Sequence, residues 1–154
     1  MEVCSQNSSD PNTVLLKLNG NKCNMACEYC SELPKNFSAD QCTFDIGKVK
    51  LIIEKLPRNT DIILHGGEPS LIGMENLSII IKFINKLSFD ITPSIQTNGY
   101  LDSRWVNFFS QNRDLIKLSV SIDGDYECNS FRRTAEKDSL LSLIHISEPT
   151  RLGM

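Results

Sequence analysis

Four short apolar, β-branched runs alternate along this chain with three stretches whose apolar residues recur at helical spacing, and this alternation constrains the fold more than any other feature. Strands separated by helices of about 10 to 15 residues pair most simply as βαβ units in a parallel sheet, an α/β architecture. The strands are expected at Val14 to Leu18, Asp61 to Leu64, Ile91 to Thr97 and Leu115 to Ile122, with Pro93 weakening the pairing of the third. Thr43 or Asp45 caps a first helix carrying Ile46, Val49, Ile52, Ile53 and Leu56, which Pro57 ends. Leu77, Ile80, Ile81 and Ile84 make the stripe of a second, and Asp102 opens a third with Trp105, Val106 and Phe109.

The fourth strand carries more than its class. A parallel strand covered on both faces reads as continuously apolar, yet Ile116, Leu118, Val120 and Ile122 alternate here with Lys117, Ser119, Ser121 and Asp123. One face therefore meets polar surroundings. Three successive strands turn polar at their C-terminal ends, at His65 to Glu68, Gln96 to Asn98 and Ser121 to Asp123, and in a β/α barrel that rim is where ligands bind.

The chain is 40% hydrophobic and 23% charged with a formal net charge of -3, which gives no electrostatic footprint for nucleic acid or an anionic membrane surface. It has no apolar run of about 18 residues and no basic start leading into an apolar segment, so no membrane span or secretory signal is expected and a cytoplasmic location is the default. The 6 cysteines do not read as a secreted disulfide framework, because the chain reads as regular helices and strands rather than as a small loop-rich scaffold.

Three of them stand as C-x3-C-x2-C at Cys23, Cys27 and Cys30. Random placement of 6 cysteines would give this spacing on the order of one time in a hundred. Soft thiolates suit zinc or an iron-sulfur cluster; a closed zinc site needs a fourth protein ligand, for which Cys42 or Cys4 would have to serve, whereas a cubane held by three cysteines leaves one iron open. Cys4, Cys42 and Cys128 have no motif around them. Gly66 and Gly67 allow the backbone to approach a ligand closely and Glu68 supplies an acceptor, although Gly-Gly and Glu-Pro are also ordinary turn chemistry.

The order Cys23-Asn-Met-Ala-Cys27-Glu-Tyr29-Cys30, His65-Gly-Gly-Glu-Pro69, Gln96-Thr-Asn-Gly99 and Ser121-Ile-Asp-Gly124 resembles the radical S-adenosylmethionine (radical SAM) enzymes, over roughly residues 13 to 138. Within them it is similar to the branch of anaerobic sulfatase-maturating enzymes and SPASM-type peptide maturases. The resemblance implies a (β/α)6 barrel, of which residues 13–140 would form about four strands. It implies a [4Fe-4S] cluster on Cys23, Cys27 and Cys30, with SAM chelating the open iron. It also places Tyr29 near the adenine, Gly66, Gly67 and Glu68 at the SAM ammonium, Gln96, Asn98, Ser121 and Asp123 around ribose and methionine oxygens, and Arg132, or its neighbour Arg133, at the carboxylate. The reaction implied is reductive cleavage of SAM to a 5′-deoxyadenosyl radical that abstracts hydrogen from a peptide or protein side chain, with electrons from a donor such as flavodoxin or ferredoxin.

Cys128 stands where that branch often shows histidine, a departure that bears on substrate. A radical SAM activase or small-molecule enzyme, and a non-catalytic zinc-binding module, are the alternatives. Residues 1–12 read as a polar lead-in. Residues 141–154, beginning LSLIHISEPTR, resemble a translated sequencing adapter and are expected to be non-native.

Overall fold

The computed structural model describes residues 12–25, 27, 29–30 and 44–122. Their order is β1 (Thr13–Lys17), α1 (Ile46–Glu54), β2 (Asp61–His65), a 3-10 turn (Pro69–Ile72), α2 (Met74–Lys86), β3 (Ser94–Thr97), α3 (Ser103–Gln111) and β4 (Lys117–Val120). The four strands form one sheet in the order β1-β2-β3-β4, every neighbour parallel. This is the arrangement in which successive βα units build a barrel wall.

Local chemistry sets the helix starts. Asp45 caps α1, its Oδ1 accepting from the Gly47 and Lys48 amides at 2.9 and 3.1 Å. Asp102 caps α3 in the same way, accepting from Arg104 and Trp105 at 3.0 and 3.2 Å. The Arg104 guanidinium closes on Asp102 at 2.6 Å and, chiefly through that hydrogen bond, holds its carboxyl below the usual range. Thr43, the other capping candidate, lies outside the described residues, as do Cys4, Cys42, Cys128 and residues 141–154.

The core lies between one face of the sheet and the helices. Ile62, Leu64 and Ile95 from the strands meet Ile53 of α1 and Leu77, Ile80, Ile81 and Ile84 of α2, all fully buried or nearly so. The α2 stripe is the one its spacing predicts. Two apolar residues expected inside are exposed: Ile52 sits at the edge of the stripe formed by Val49, Ile53 and Leu56, and Val106 lies about 100° around α3 from Trp105. Phe108 takes the place expected for Val106, packing edge-on with Trp105 and Phe109 at centroid distances of 5.6 and 5.4 Å.

β3 and β4 are shorter than the apolar runs that announce them. Pro93 stands just ahead of β3, where its missing N–H costs no ladder bond, while its carbonyl still accepts from the Lys117 amide at 2.9 Å. Among the described residues no helix is long and apolar enough to cross a membrane.

Neighbouring isoleucines test the packing. Ile80 is fully buried and Ile79 is 37% exposed. Ile80→Ala is expected to cost about 2 to 5 kcal/mol in urea unfolding and Ile79→Ala much less; equal losses would contradict the orientation of α2.

Candidate functional site

Alternation along each strand sends Leu16, Ile62, Leu64, Ile95 and Thr97 to the helix side and leaves a second face of different character. Lys17 pairs with His65, the same register sets His65 beside Gln96, and Gln96 pairs with Ser119. A polar row thus crosses all four strands near their C-terminal ends. Below it lies the row Leu15, Ile63, Ser94 and Lys117. The polar face read from the alternation of the fourth strand extends across the sheet in the row at the strand ends, while one row below it β1 and β2 contribute the apolar Leu15 and Ile63.

The cysteine-bearing segment begins directly after β1 and is fastened to the end of β2. Leu18 N donates to His65 O at 3.0 Å and Glu68 N to Lys22 O at 2.8 Å. The Asn19 side-chain amide donates at 3.3 Å to both Lys22 O and Glu68 O. These contacts change the meaning of the two glycines. Gly66 and Gly67 have φ of 94° and 48°, and a Cβ on Gly66 would stand 2.8 Å from Lys17 Cα, while one on Gly67 would overlap the Lys22 carbonyl. What approaches these glycines is the backbone of the cysteine segment itself.

Glu68 is also read differently in three dimensions. Its side chain is fully buried; Oε1 accepts from Ser70 N at 3.0 Å and Thr97 Oγ1 at 2.9 Å, and Oε2 from Asn98 N at 2.8 Å. A buried carboxylate is tolerated when its oxygens are met by donors in this way. It ties the end of β2 to the end of β3, behind the rim rather than on it.

In front of that tie lie the thiols. Cys23 and Cys30 are exposed, Cys27 is half-buried, and none forms a disulfide. Cys30 N donates to Cys27 O at 3.0 Å, a tight turn that keeps the last two cysteines adjacent. Asn98 Nδ2 reaches across to Asn24 Oδ1 at 2.8 Å and to Cys23 Sγ at 3.6 Å. Among the described residues no three His, Cys, Asp or Glu side chains are drawn close enough together to hold a metal ion. The segment supplies three soft donors on one stretch above the strand ends, a donor set that fits an iron-sulfur cluster with one open iron. Tyr29, between the second and third cysteines, is exposed.

Gln96 Nε2 lies 3.4 Å from Ser121 Oγ, so these two expected site residues meet at the rim. Asp123 and Arg132 lie outside the described residues. Sequence reasoning gave His65 no role of its own, yet its Nδ1 is buried with no hydrogen-bond partner, in the polar row between Lys17 and Gln96. Its place one strand period below Gly67, on the polar parity, was the available signal.

A family model described as a 4Fe-4S single cluster domain matches residues 14–142. The chain is 28% identical over 137 residues to a cysteine-type anaerobic sulfatase-maturating enzyme of Clostridium novyi, covering 81% of this chain and 36% of the relative. It is 30% identical over 131 residues to a serine-type anaerobic sulfatase-maturating enzyme of Bacteroides thetaiotaomicron, covering 76% and 30%. A solved structure, native anSMEcpe with bound AdoMet and Cp18Cys peptide, superposes with a TM-score of 0.64 at 25% identity, covering 90% of this chain and 39% of that one. The chain thus spans about a third of the length of the relatives it matches.

Gly67→Ala is expected to dislodge the cysteine segment, because the new methyl has no room beside Lys22 O. Hydrogen exchange at the Glu68 amide should quicken at least tenfold, whereas Gly73→Ala, with no atom within 4 Å of its added methyl, should leave that amide protected. Unchanged protection in Gly67→Ala would refute the docking.

Proposed function

The chain belongs to the 4Fe-4S single cluster domain family, of the radical SAM type, and from that premise we propose that it acts in a radical SAM enzyme that modifies a peptide or protein side chain. The observation that carries this reading is the three-thiol segment fastened above the C-terminal ends of four parallel strands. Cys23, Cys27 and Cys30 hold the cluster. A cluster held there with SAM bound would supply one-electron reduction of the sulfonium for hydrogen abstraction from the substrate.

The chain's own residues bind and orient. The carbonyls of Gly66 and Gly67 are assigned to the SAM amino group on resemblance, while Glu68, whose amide and carbonyl are bonded to Lys22, Asn19 and Leu71, serves from behind by fixing the Asn98 amide through its carboxylate. Gln96, Asn98 and Ser121 offer polar partners to ribose and methionine oxygens, with Asp123 and Arg132 assigned on resemblance, and Tyr29 lies by the adenine. The substrate side chain lies over the polar row, where the unpartnered His65 Nδ1 is a hydrogen-bonding group in need of a partner. The AdoMet and peptide named for the solved relative support both ligands. Electrons come from a small reducing donor such as flavodoxin or ferredoxin, in the reducing environment of the cytoplasm.

Anaerobic reconstitution tests the reading. The wild-type chain is expected to take up about four irons and four sulfides and turn brown. Cys23→Ala, Cys27→Ala and Cys30→Ala should each lose most of that iron, while Cys42→Ala keeps it. A colourless wild-type chain that binds zinc instead, or full iron retention in Cys27→Ala, would overturn the assignment. His65→Ala should keep its iron and, in the peptide-modifying enzyme, lower turnover at least tenfold; unchanged turnover would remove His65 from the substrate face.

A further inference from the structure

Asn98 is held at both of its ends. Its backbone amide donates to the buried Glu68 Oε2 at 2.8 Å, and its side-chain Oδ1 accepts from Tyr100 N at 2.8 Å. The second bond fixes the orientation of the side-chain amide, since only an oxygen can accept from a backbone N–H. The NH2 end therefore faces the cysteine segment. One of its hydrogens is directed to Asn24 Oδ1 at 2.8 Å, and the other has Cys23 Sγ within reach at 3.6 Å.

We propose that Asn98 is a positioning residue for the cluster, donating an N–H···S hydrogen bond to Cys23 that raises the cluster's reduction potential. The inference rests on Cys23 being a cluster ligand, as read above, and gives Asn98 a role beyond contact with SAM. A ligating thiolate is an acceptor with no hydrogen of its own, so a fixed amide donor suits it better than it suits a thiol. Adding an electron makes the cluster more negative, and a donor to one of its sulfurs stabilises that state. Glu68 acts one step further back: without its carboxylate the Asn98 amide loses its anchor, and the donor is no longer aimed.

The decisive measurement is spectroscopic. The wild-type chain, labelled with 15N-asparagine, reconstituted and reduced, should show a 15N hyperfine coupling to the cluster by pulsed electron paramagnetic resonance. The coupling should vanish in Asn98→Asp and Asn98→Ala and persist in Asn24→Ser. The reductive midpoint should shift negative in both Asn98 variants, further in Asn98→Asp, where a carboxylate oxygen replaces the donor. A wild-type chain that binds no iron overturns the cluster reading and this inference with it. Iron in the wild-type chain with no asparagine coupling, or with a coupling that survives in Asn98→Asp, overturns this inference alone. Iron loss in an Asn98 variant, with the wild-type coupling present, supports the contact as one that holds the ligand.

Discussion

A single buried carboxylate organises the rim of this sheet. Glu68 has no access to solvent, and an uncompensated charge there would cost several kcal/mol. Three donors from two neighbouring strand ends meet it instead: Ser70 N, Thr97 Oγ1 and Asn98 N. The same residue donates its backbone amide to Lys22 O and accepts at its carbonyl from the Asn19 side-chain amide, so one residue, through its side chain and its backbone, joins β1, β2 and β3 at the level where the thiols sit. The two glycines before it make the joint possible by letting the cysteine segment come within contact of the β2 end.

The sheet below this joint has two unlike faces for a reason of geometry. Side chains alternate along each strand, and parallel register keeps like parity together across all four. The apolar parity meets the stripes of α1 and α2 and supplies the core. The other parity carries Lys17, His65, Gln96 and Ser119 at the strand ends and Leu15, Ile63, Ser94 and Lys117 below them, and of these His65 holds a buried Nδ1 without a hydrogen-bond partner. A structure held together from one side can give its other side to ligands, and the thiols lie at the edge of that side.

Much of this was legible in the residue order because it depends on near neighbours. The α2 stripe, the aspartate caps of α1 and α3, four parallel strands and the polar parity of β4 follow from periodicity, capping chemistry and strand alternation. The limits of the same reasoning are visible at Ile52 and Val106, where a helical stripe has an edge that composition does not mark. They are visible again at Pro93, which takes part in the sheet through its carbonyl alone.

What the sequence determined by itself was the architecture, the three-thiol donor set and the family resemblance, all carried by spacing along the chain. What only the tertiary structure decided were contacts between residues far apart in it. Glu68 became an internal tie because the fold brings it against Thr97 and Asn98, about 30 residues away. Gly67 became obligatory because Lys22 passes over it. Asn98 became a partner of Cys23, 75 residues earlier. Such pairings have no local signature, since each rests on where two strand ends arrive in space rather than on the preference of either residue.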